Sequence, residues 1–126
     1  LDKRAGRHNR RLNVLIEVNV SGEASKNGIE PSGVPELVRR ISTLPNLTVR
    51  GLMTMPPYSD NPEISRPYFQ ALRRLRDEIN AAAIPNVRMD ELSMGMTDDF
   101  EVAIEEGATI IRVGRAIFGE RRYPPP

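Results

Sequence analysis

The feature that most constrains the fold of this chain is an alternation of short apolar segments with longer amphipathic ones. Four segments rich in β-branched residues, bounded by glycine, proline or polar residues, are typical of strands covered on both faces. They lie at 14–20, 47–55, 91–94 and 109–113. Strands that alternate with helices favour a parallel sheet built from right-handed βαβ units. The sequence therefore predicts an α/β fold, either a small open sheet or half of an eight-stranded barrel, and periodicity alone does not separate the two.

Two of the intervening segments have the spacing of helices with one buried face. In the first, an apolar i, i+3, i+4, i+7 pattern is formed by Val34, Leu37, Val38 and Ile41. The second carries most of its charges on one side and a longer apolar stripe on the other. The residues predicted to form that buried stripe are Ile64, Tyr68, Leu72, Leu75 and Ile79.

A third and shorter helix is predicted after Gly95, with Thr97 or Asp98 as its N-cap. Asp98 and Glu101 are three residues apart, a spacing that resembles a capping box. A metal site built on Asp98, Asp99 and Glu101 is the alternative, but acids in a first helical turn commonly serve the helix dipole, so no metal is expected. The predicted buried face consists of Phe100, Ala103 and Ile104, with Glu105 and Glu106 on a solvated face and Gly107 at the end.

Composition and charge exclude several classes of function. The 126 residues include no cysteine and one histidine, and the formal net charge is +1. Disulfides and thiolate metal sites are therefore excluded, and no overall charge attracts the chain to nucleic acid or to an anionic membrane. The basic segment 1–11 is interpreted as the solvated end of a helix rather than a nucleic-acid arm, because no aromatic residue is interleaved with its arginines. No apolar run approaches the ~20 residues of a membrane span, so we expect a cytoplasmic protein without membrane or nucleic-acid partners.

Polar residues and glycines follow the third and fourth predicted strands. Residues 93–97 offer a hydroxyl, a glycine and a helix start, and residues 112–115 offer two arginines and a glycine. Ligands of parallel α/β proteins gather at the carboxyl ends of the strands, where free backbone N–H groups and cations suit a phosphate. The alternative is that the glycines serve tight turns and that Arg112 pairs with a carboxylate. Spacing alone leaves both interpretations open.

Several motifs occur together in a fixed order. They are VNVSGE at 18–23, SKNG at 25–28, RGLMTM at 50–55, LSMGMTDDF at 92–100, AIEEGAT at 103–109, RVG at 112–114 and AIFGER at 116–121. In this order they resemble the pyridoxal-phosphate homeostasis family, an alanine-racemase-like group of single-domain barrels. The resemblance covers nearly all of the chain from Leu12 to Arg121. A set of ordered motifs is far more specific than any one of them.

The resemblance implies a parallel (β/α)8 barrel of the TIM type, of which this chain would supply strands five to eight with their helices. Residues 1–126 would then be the C-terminal half of a single domain that binds pyridoxal 5′-phosphate, with an irregular tail at 122–126. The implied function is intracellular homeostasis of this vitamin B6 cofactor, without strong catalytic activity. Half a barrel exposes two sheet edges, so self-association of the chain is also expected.

The resemblance also implies which residues form the cofactor site. Ser93 and Met94 would hold the phosphate after the seventh strand. Gly114 and Arg115 would hold it after the eighth. Arg112 would face the pyridine nitrogen, and because an arginine stays protonated and only donates, the ring would be a weaker electron sink than one paired with aspartate.

The lysine that carries the cofactor in this family lies on the first strand, which this chain does not contain. Neither Lys3 nor Lys26, the two lysines of the chain, matches that motif, so no catalytic residue is predicted. A racemase-like enzyme acting on amino acids is one alternative; it needs a second acid–base group, for which Tyr58 and Tyr68 are the plausible tyrosines. A phosphate-binding α/β module unrelated to pyridoxal is the other.

Overall fold

The predicted alternation of strands and helices is confirmed by a computed structural model, which describes residues 12–22, 28–57 and 60–112. Along the chain the elements are β1 (Leu12–Glu17), a 3₁₀ turn (Pro31–Gly33), α1 (Val34–Ser42), β2 (Leu47–Met53), α2 (Pro62–Ala81), β3 (Glu91–Met96), α3 (Phe100–Glu105) and β4 (Ile110–Arg112). The types of the elements are as predicted, and only their ends differ. The strands β1 and β2 end earlier than the apolar segments that predicted them, whereas β3 continues to Met96.

The four strands form one sheet in the order β1-β2-β3-β4, and all three neighbouring pairs are parallel. Glu17 pairs with Met53, and Met53 pairs with Ser93. Ser93 in turn pairs with Ile110. Neighbouring strands in chain order are the arrangement of a β/α barrel, whereas a doubly wound open sheet reverses its strand order at a switch point. The sheet order therefore favours the barrel, the choice that periodicity left open.

The helices cover one face of the sheet, and the core lies between them and the strands. Leu92 and Met94 of β3 are fully buried in this layer. The helices contribute Val34 and Val38 from α1 and Phe69, Leu72, Leu75 and Ile79 from α2. Apolar burial of this kind stabilises a fold by about 25 cal/mol per Å². Because side chains alternate along a strand, the residues between the core positions point to the opposite face of the sheet.

The buried face of α2 differs in part from the prediction. Phe69 and Ser65 are buried, whereas Ile64 is 53% exposed and Tyr68 is only partly buried. Tyr68 and Phe69 both lie about one turn before Leu72, so helical spacing permits either to face the sheet. Phe69 occupies the core because its ring carries no hydroxyl that needs a partner.

The backbones of β2 and β3 approach closely at Gly51. A Cβ atom at this position would overlap the carbonyl oxygen of Glu91, the register partner of Gly51. Beside it, the Asp90 N–H donates a hydrogen bond of 3.0 Å to the carbonyl of Arg50. A residue without a side chain is therefore required for this pair of strands to join.

Candidate functional site

The sheet face opposite the helices carries Ser93, the first of the predicted phosphate-site residues. Leu92 and Met94 lie in the core, so Ser93 between them points to the other face. It lies at the carboxyl end of the sheet and is 5% exposed. The side chain of Met94 is buried on the helix side of the sheet, so only the main-chain groups of Met94 can contact a ligand at this edge.

Arg112 lies on the same face, on the neighbouring strand. It is the last residue of β4 and stands two positions after Ile110, the register partner of Ser93. Residues two apart in a strand point to the same side. Arg112 itself pairs with Met96, three residues after Ser93, across an irregularity in the β3–β4 register, so Ser93 and Arg112 both lie near the carboxyl edge of this strand pair. Other predicted features lie outside the described residues, namely Gly114, Arg115, Lys3, Lys26, Tyr58 and the segments 1–11 and 122–126.

The guanidinium of Arg112 is partly buried and lacks an acceptor within the part of the chain that the structure describes. Its Nε and Nη2 atoms are shielded from solvent and make no hydrogen bond there. Buried donors without a partner are costly, more so when they are charged. An acceptor from outside these segments therefore fits the position. A pyridine nitrogen is such an acceptor, and a guanidinium is a donor only.

Two polar residues that the motif analysis did not assign to the site also lie at this edge. The Thr54 side chain is 1% exposed, and its Oγ1 donates a hydrogen bond of 2.9 Å to the Val18 carbonyl. The side chain of Asn19 is nearly buried, and its Oδ1 accepts hydrogen bonds from Ser21 Oγ at 3.0 Å and from the Gly22 N–H at 3.2 Å. Their position in the sequence could have identified them, since each residue follows the end of a strand by one or two residues.

The turn after Ser93 is packed tightly against α3. Gly95 has a φ of +100°, and a Cβ atom there would lie 2.6 Å from the Cβ of Ala103. Only glycine accommodates both the dihedral and the contact. Ala103 and Val102 form the buried face of α3, whereas Ile104, predicted to be buried, is 52% exposed. Contact with the glycine turn thus sets the orientation of a helix too short for its periodicity to do so.

The N-cap of α3 was predicted one or two residues too early. Asp99 is the N-cap, not Thr97 or Asp98, and the helix has no side-chain cap hydrogen bond. The Oδ1 of Asp99 instead accepts a hydrogen bond of 2.7 Å from the Met96 N–H. The predicted capping box between Asp98 and Glu101 was therefore wrong, because the acidic side chain at the cap turns back toward the end of β3.

An ion cluster on the helix side joins α2 to the end of α3. Arg66 lies 2.7 Å from a carboxylate oxygen of each of Glu63, Glu105 and Glu106, and Arg73 lies 3.7 Å from Glu106. Hydrogen bonds to Glu63 and then to the other two carboxylates raise the pKa of Arg66, and the same contact lowers the pKa of Glu63. The prediction of a solvated face was wrong for Glu106, which is 7% exposed because Arg66 covers it.

A cavity of about 500 Å³ lies between the starts of α2 and α3, away from the face that carries Ser93. Asp98, Asp99 and Glu101 line it beside Arg66 and Glu105. Across the described segments, no group of three or more histidine, aspartate or glutamate side chains is arranged to hold a metal ion. In the same segments, no helix is both long and apolar enough to cross a membrane.

Comparison with known families identifies the fold to which this edge belongs. Residues 1–122 match the family described as alanine racemase, N-terminal domain. The chain belongs to this family. The alanine racemase N-terminal domain has an α/β fold of the TIM-barrel type with a parallel sheet, in agreement with the sheet order found here.

Three relatives of this family member are informative. A pyridoxal phosphate homeostasis protein from Aquifex aeolicus is 56% identical over 123 residues, which are 98% of this chain and 53% of that protein. A solved structure of an unknown protein from Bifidobacterium adolescentis has a TM-score of 0.86 and 44% identity, over 93% of this chain and 47% of its own. PipY of Synechococcus elongatus, solved with PLP bound, has a TM-score of 0.78 and 31% identity, over 90% of this chain and 51% of its own. The chain thus spans about half the length of the relatives it matches, and the resemblance to the homeostasis family is confirmed.

Proposed function

We propose that this chain forms part of a protein that binds pyridoxal 5′-phosphate and serves the homeostasis of that cofactor in the cytoplasm, without strong catalytic activity. The observation that carries the proposal is the buried guanidinium of Arg112, whose Nε and Nη2 have no acceptor in the described segments. It lies on the same sheet face as Ser93, at the edge where β/α barrels bind their ligands. The relatives named as pyridoxal phosphate homeostasis proteins, and PipY with its bound PLP, support the same cofactor.

Each residue of the proposed site has a distinct role. Arg112 donates a hydrogen bond to the pyridine nitrogen and, because it never releases its proton, keeps that nitrogen unprotonated. Ser93 and the main chain of Met94 hold the phosphate. Gly114 and Arg115 complete the phosphate side after β4. Pyridoxal phosphate, when bound, supplies an aldehyde and a conjugated ring that accepts electrons, and Arg112 makes the ring a weak acceptor.

We further propose that β1 to β4 are strands five to eight of an eight-stranded barrel. Residues 1–126 are then the C-terminal half of the domain. The proposal is supported by the order of the strands and by the half-length match to the relatives. In this arrangement the chain supplies the phosphate and ring-nitrogen side of the site, and no residue of it holds the cofactor covalently.

Self-association of the chain is part of the same proposal. The outer edge of β4 has no strand partner in the described segments, and that of β1 has a single bridge, between Val18 and Ile29. Near the carboxyl end of the sheet Met55 is 42% and Met96 48% exposed, and Ile110, the first residue of β4, is 40% exposed. Open edges and exposed apolar side chains favour pairing with another chain.

A titration with pyridoxal phosphate, followed by its absorbance, tests the proposed site. Saturable binding is expected, and Arg112→Gln should weaken it about tenfold or more, because a charged hydrogen bond to the ring is lost. Arg76→Gln is the matched control: Arg76 pairs with the adjacent Asp77 on the surface of α2, so its loss should leave affinity unchanged.

Borohydride reduction followed by intact mass measurement should give no adduct. A stoichiometric adduct on Lys26 would contradict the assignment of a non-covalent half-site. Absence of saturable binding by the unaltered chain, or equal affinity of Arg112→Gln, would contradict the proposed function.

A further inference from the structure

One residue near the carboxyl edge of the sheet bonds both neighbouring strands. Thr54 follows the last residue of β2, and its main-chain N–H donates a hydrogen bond of 3.1 Å to the carbonyl of Ser93 on β3. Its Oγ1 donates a second one, of 2.9 Å, to the carbonyl of Val18 just after β1. One residue of the central strand thus binds the strand on either side of it.

The hydroxyl of Thr54 continues the β1–β2 ladder beyond its last backbone pair. That pair is Glu17 and Met53, and the Val18 N–H still donates to the Met53 carbonyl at 2.8 Å. The Val18 carbonyl is then bonded by the Thr54 side chain. The side chain is 1% exposed, so water cannot replace the bond, and its loss leaves a buried carbonyl unsatisfied.

We propose that Thr54 is a positioning residue for the phosphate site, which holds Ser93 in register without touching the ligand. The inference rests on the proposed function, since Ser93 is the residue assigned to the phosphate. The hydroxyl of Thr54 anchors the end of β2 to the Val18 carbonyl, and the main-chain N–H of the same residue holds the Ser93 carbonyl. A shift of Thr54 on loss of its hydroxyl would therefore displace Ser93 as well.

A pair of substitutions separates the hydroxyl from the shape of the side chain. Thr54→Val keeps the shape and removes the donor, and it should weaken binding of pyridoxal phosphate about tenfold, the scale of one buried hydrogen bond. Thr54→Ser keeps the donor and should restore affinity to within about twofold of the unaltered chain. Should Thr54→Val fail to fold, Thr54→Ala, which also removes the donor, is measured in its place with the same expectation.

Asn80 provides a control for general destabilisation. Its side-chain amide donates to the Met89 carbonyl at 2.9 Å and accepts from the Met89 N–H at 2.8 Å, ahead of the amino end of β3. Asn80→Ala should lower the midpoint of urea unfolding without changing the affinity for pyridoxal phosphate. Pyridoxal, which lacks the phosphate, should bind Thr54→Val and the unaltered chain equally.

The outcomes distinguish this inference from the proposed function. Equal affinity of Thr54→Val and the unaltered chain overturns the positioning role and leaves the function standing. An equal loss of affinity in Asn80→Ala also overturns the positioning role, as does an equal loss of pyridoxal binding in Thr54→Val, because either result means that general destabilisation is the cause. Failure of the unaltered chain to bind pyridoxal phosphate overturns the function and the positioning role together.

Discussion

Single residues set how closely the backbone packs around the candidate site. Gly51 lets β2 approach β3 where a Cβ atom would overlap the Glu91 carbonyl, and Gly95 lets the turn after Ser93 contact Ala103. At neither position does the neighbour have a flexible end that could move aside. The geometry of the carboxyl edge therefore depends on the absence of two side chains as much as on the presence of Ser93 and Arg112.

Gly51→Ala should destabilise the fold by about 3 kcal/mol, because the added methyl group must separate two hydrogen-bonded backbones. The midpoint of urea unfolding measures this change. Gly33→Ala is the control, since a Cβ there would lie 3.1 Å from the Cδ1 of Ile29, the flexible end of a side chain, at a backbone conformation open to any residue. A Gly51→Ala protein as stable as Gly33→Ala would show that the strands are further apart than described.

Among the elements, α3 is the one whose position is least determined by its own sequence. It has six residues, and three contacts orient it: Gly95 beneath Ala103, Asp99 against the Met96 N–H, and Arg66 of α2 against Glu105 and Glu106. Since α3 follows the turn that contains Ser93, the Arg66 cluster indirectly supports the site. Arg66 lies 39 and 40 positions before Glu105 and Glu106 in the chain.

The contact of Arg66 with Glu63 predicts a specific pH dependence. Because the hydrogen bond from Arg66 lowers the pKa of Glu63 in the folded protein, the ionised carboxylate stabilises the fold at pH values above its ordinary pKa of 4.5. This contribution is lost as the pH falls through the lower folded value. Glu63→Gln should therefore unfold at a lower temperature than the unaltered chain near pH 7, by a small amount because the group is exposed.

Thermal unfolding at a series of pH values is the measurement. The difference between Glu63→Gln and the unaltered chain should vanish at acidic pH, where both side chains are neutral. Asp77→Asn, which removes the carboxylate that pairs with Arg76 further along the same helix, serves as the control for an ion pair between adjacent residues. A difference that persists unchanged into acid would contradict the assigned contact.

For the whole molecule, the open sheet is the property with the largest consequences. The described sheet has four sequential parallel strands, half the number of an eight-stranded barrel. Relatives about twice as long have chain available to close the barrel. A second copy of this chain offers the same number of strands.

Sedimentation velocity over a range of concentrations should therefore show association of the isolated chain to a dimer or larger species. The physical reason is that pairing of the β1 and β4 edges buries backbone groups and apolar side chains that water otherwise contacts. If the associated chains can bind the ligand, pyridoxal phosphate added before the run should leave the assembly intact. A monomer at every concentration, with a single cooperative thermal transition, would contradict self-association.

The sequence by itself determined the type of every element and the family. Apolar periodicity is a local property, so it identified α1 from Val34 and Val38 and the strands from their β-branched runs, and the ordered motifs identified the relatives. The tertiary structure decided what depends on contacts between distant residues. It placed Phe69 rather than Tyr68 in the core, buried Glu106 beside Arg66, and bonded Thr54 to Val18 and Ser93 on either side of β2. The sequence did not predict these contacts, because the spacing of residues along one element does not specify which element packs against it. Hydrogen bonds between residues 36 to 40 positions apart form only once the tertiary structure brings them together.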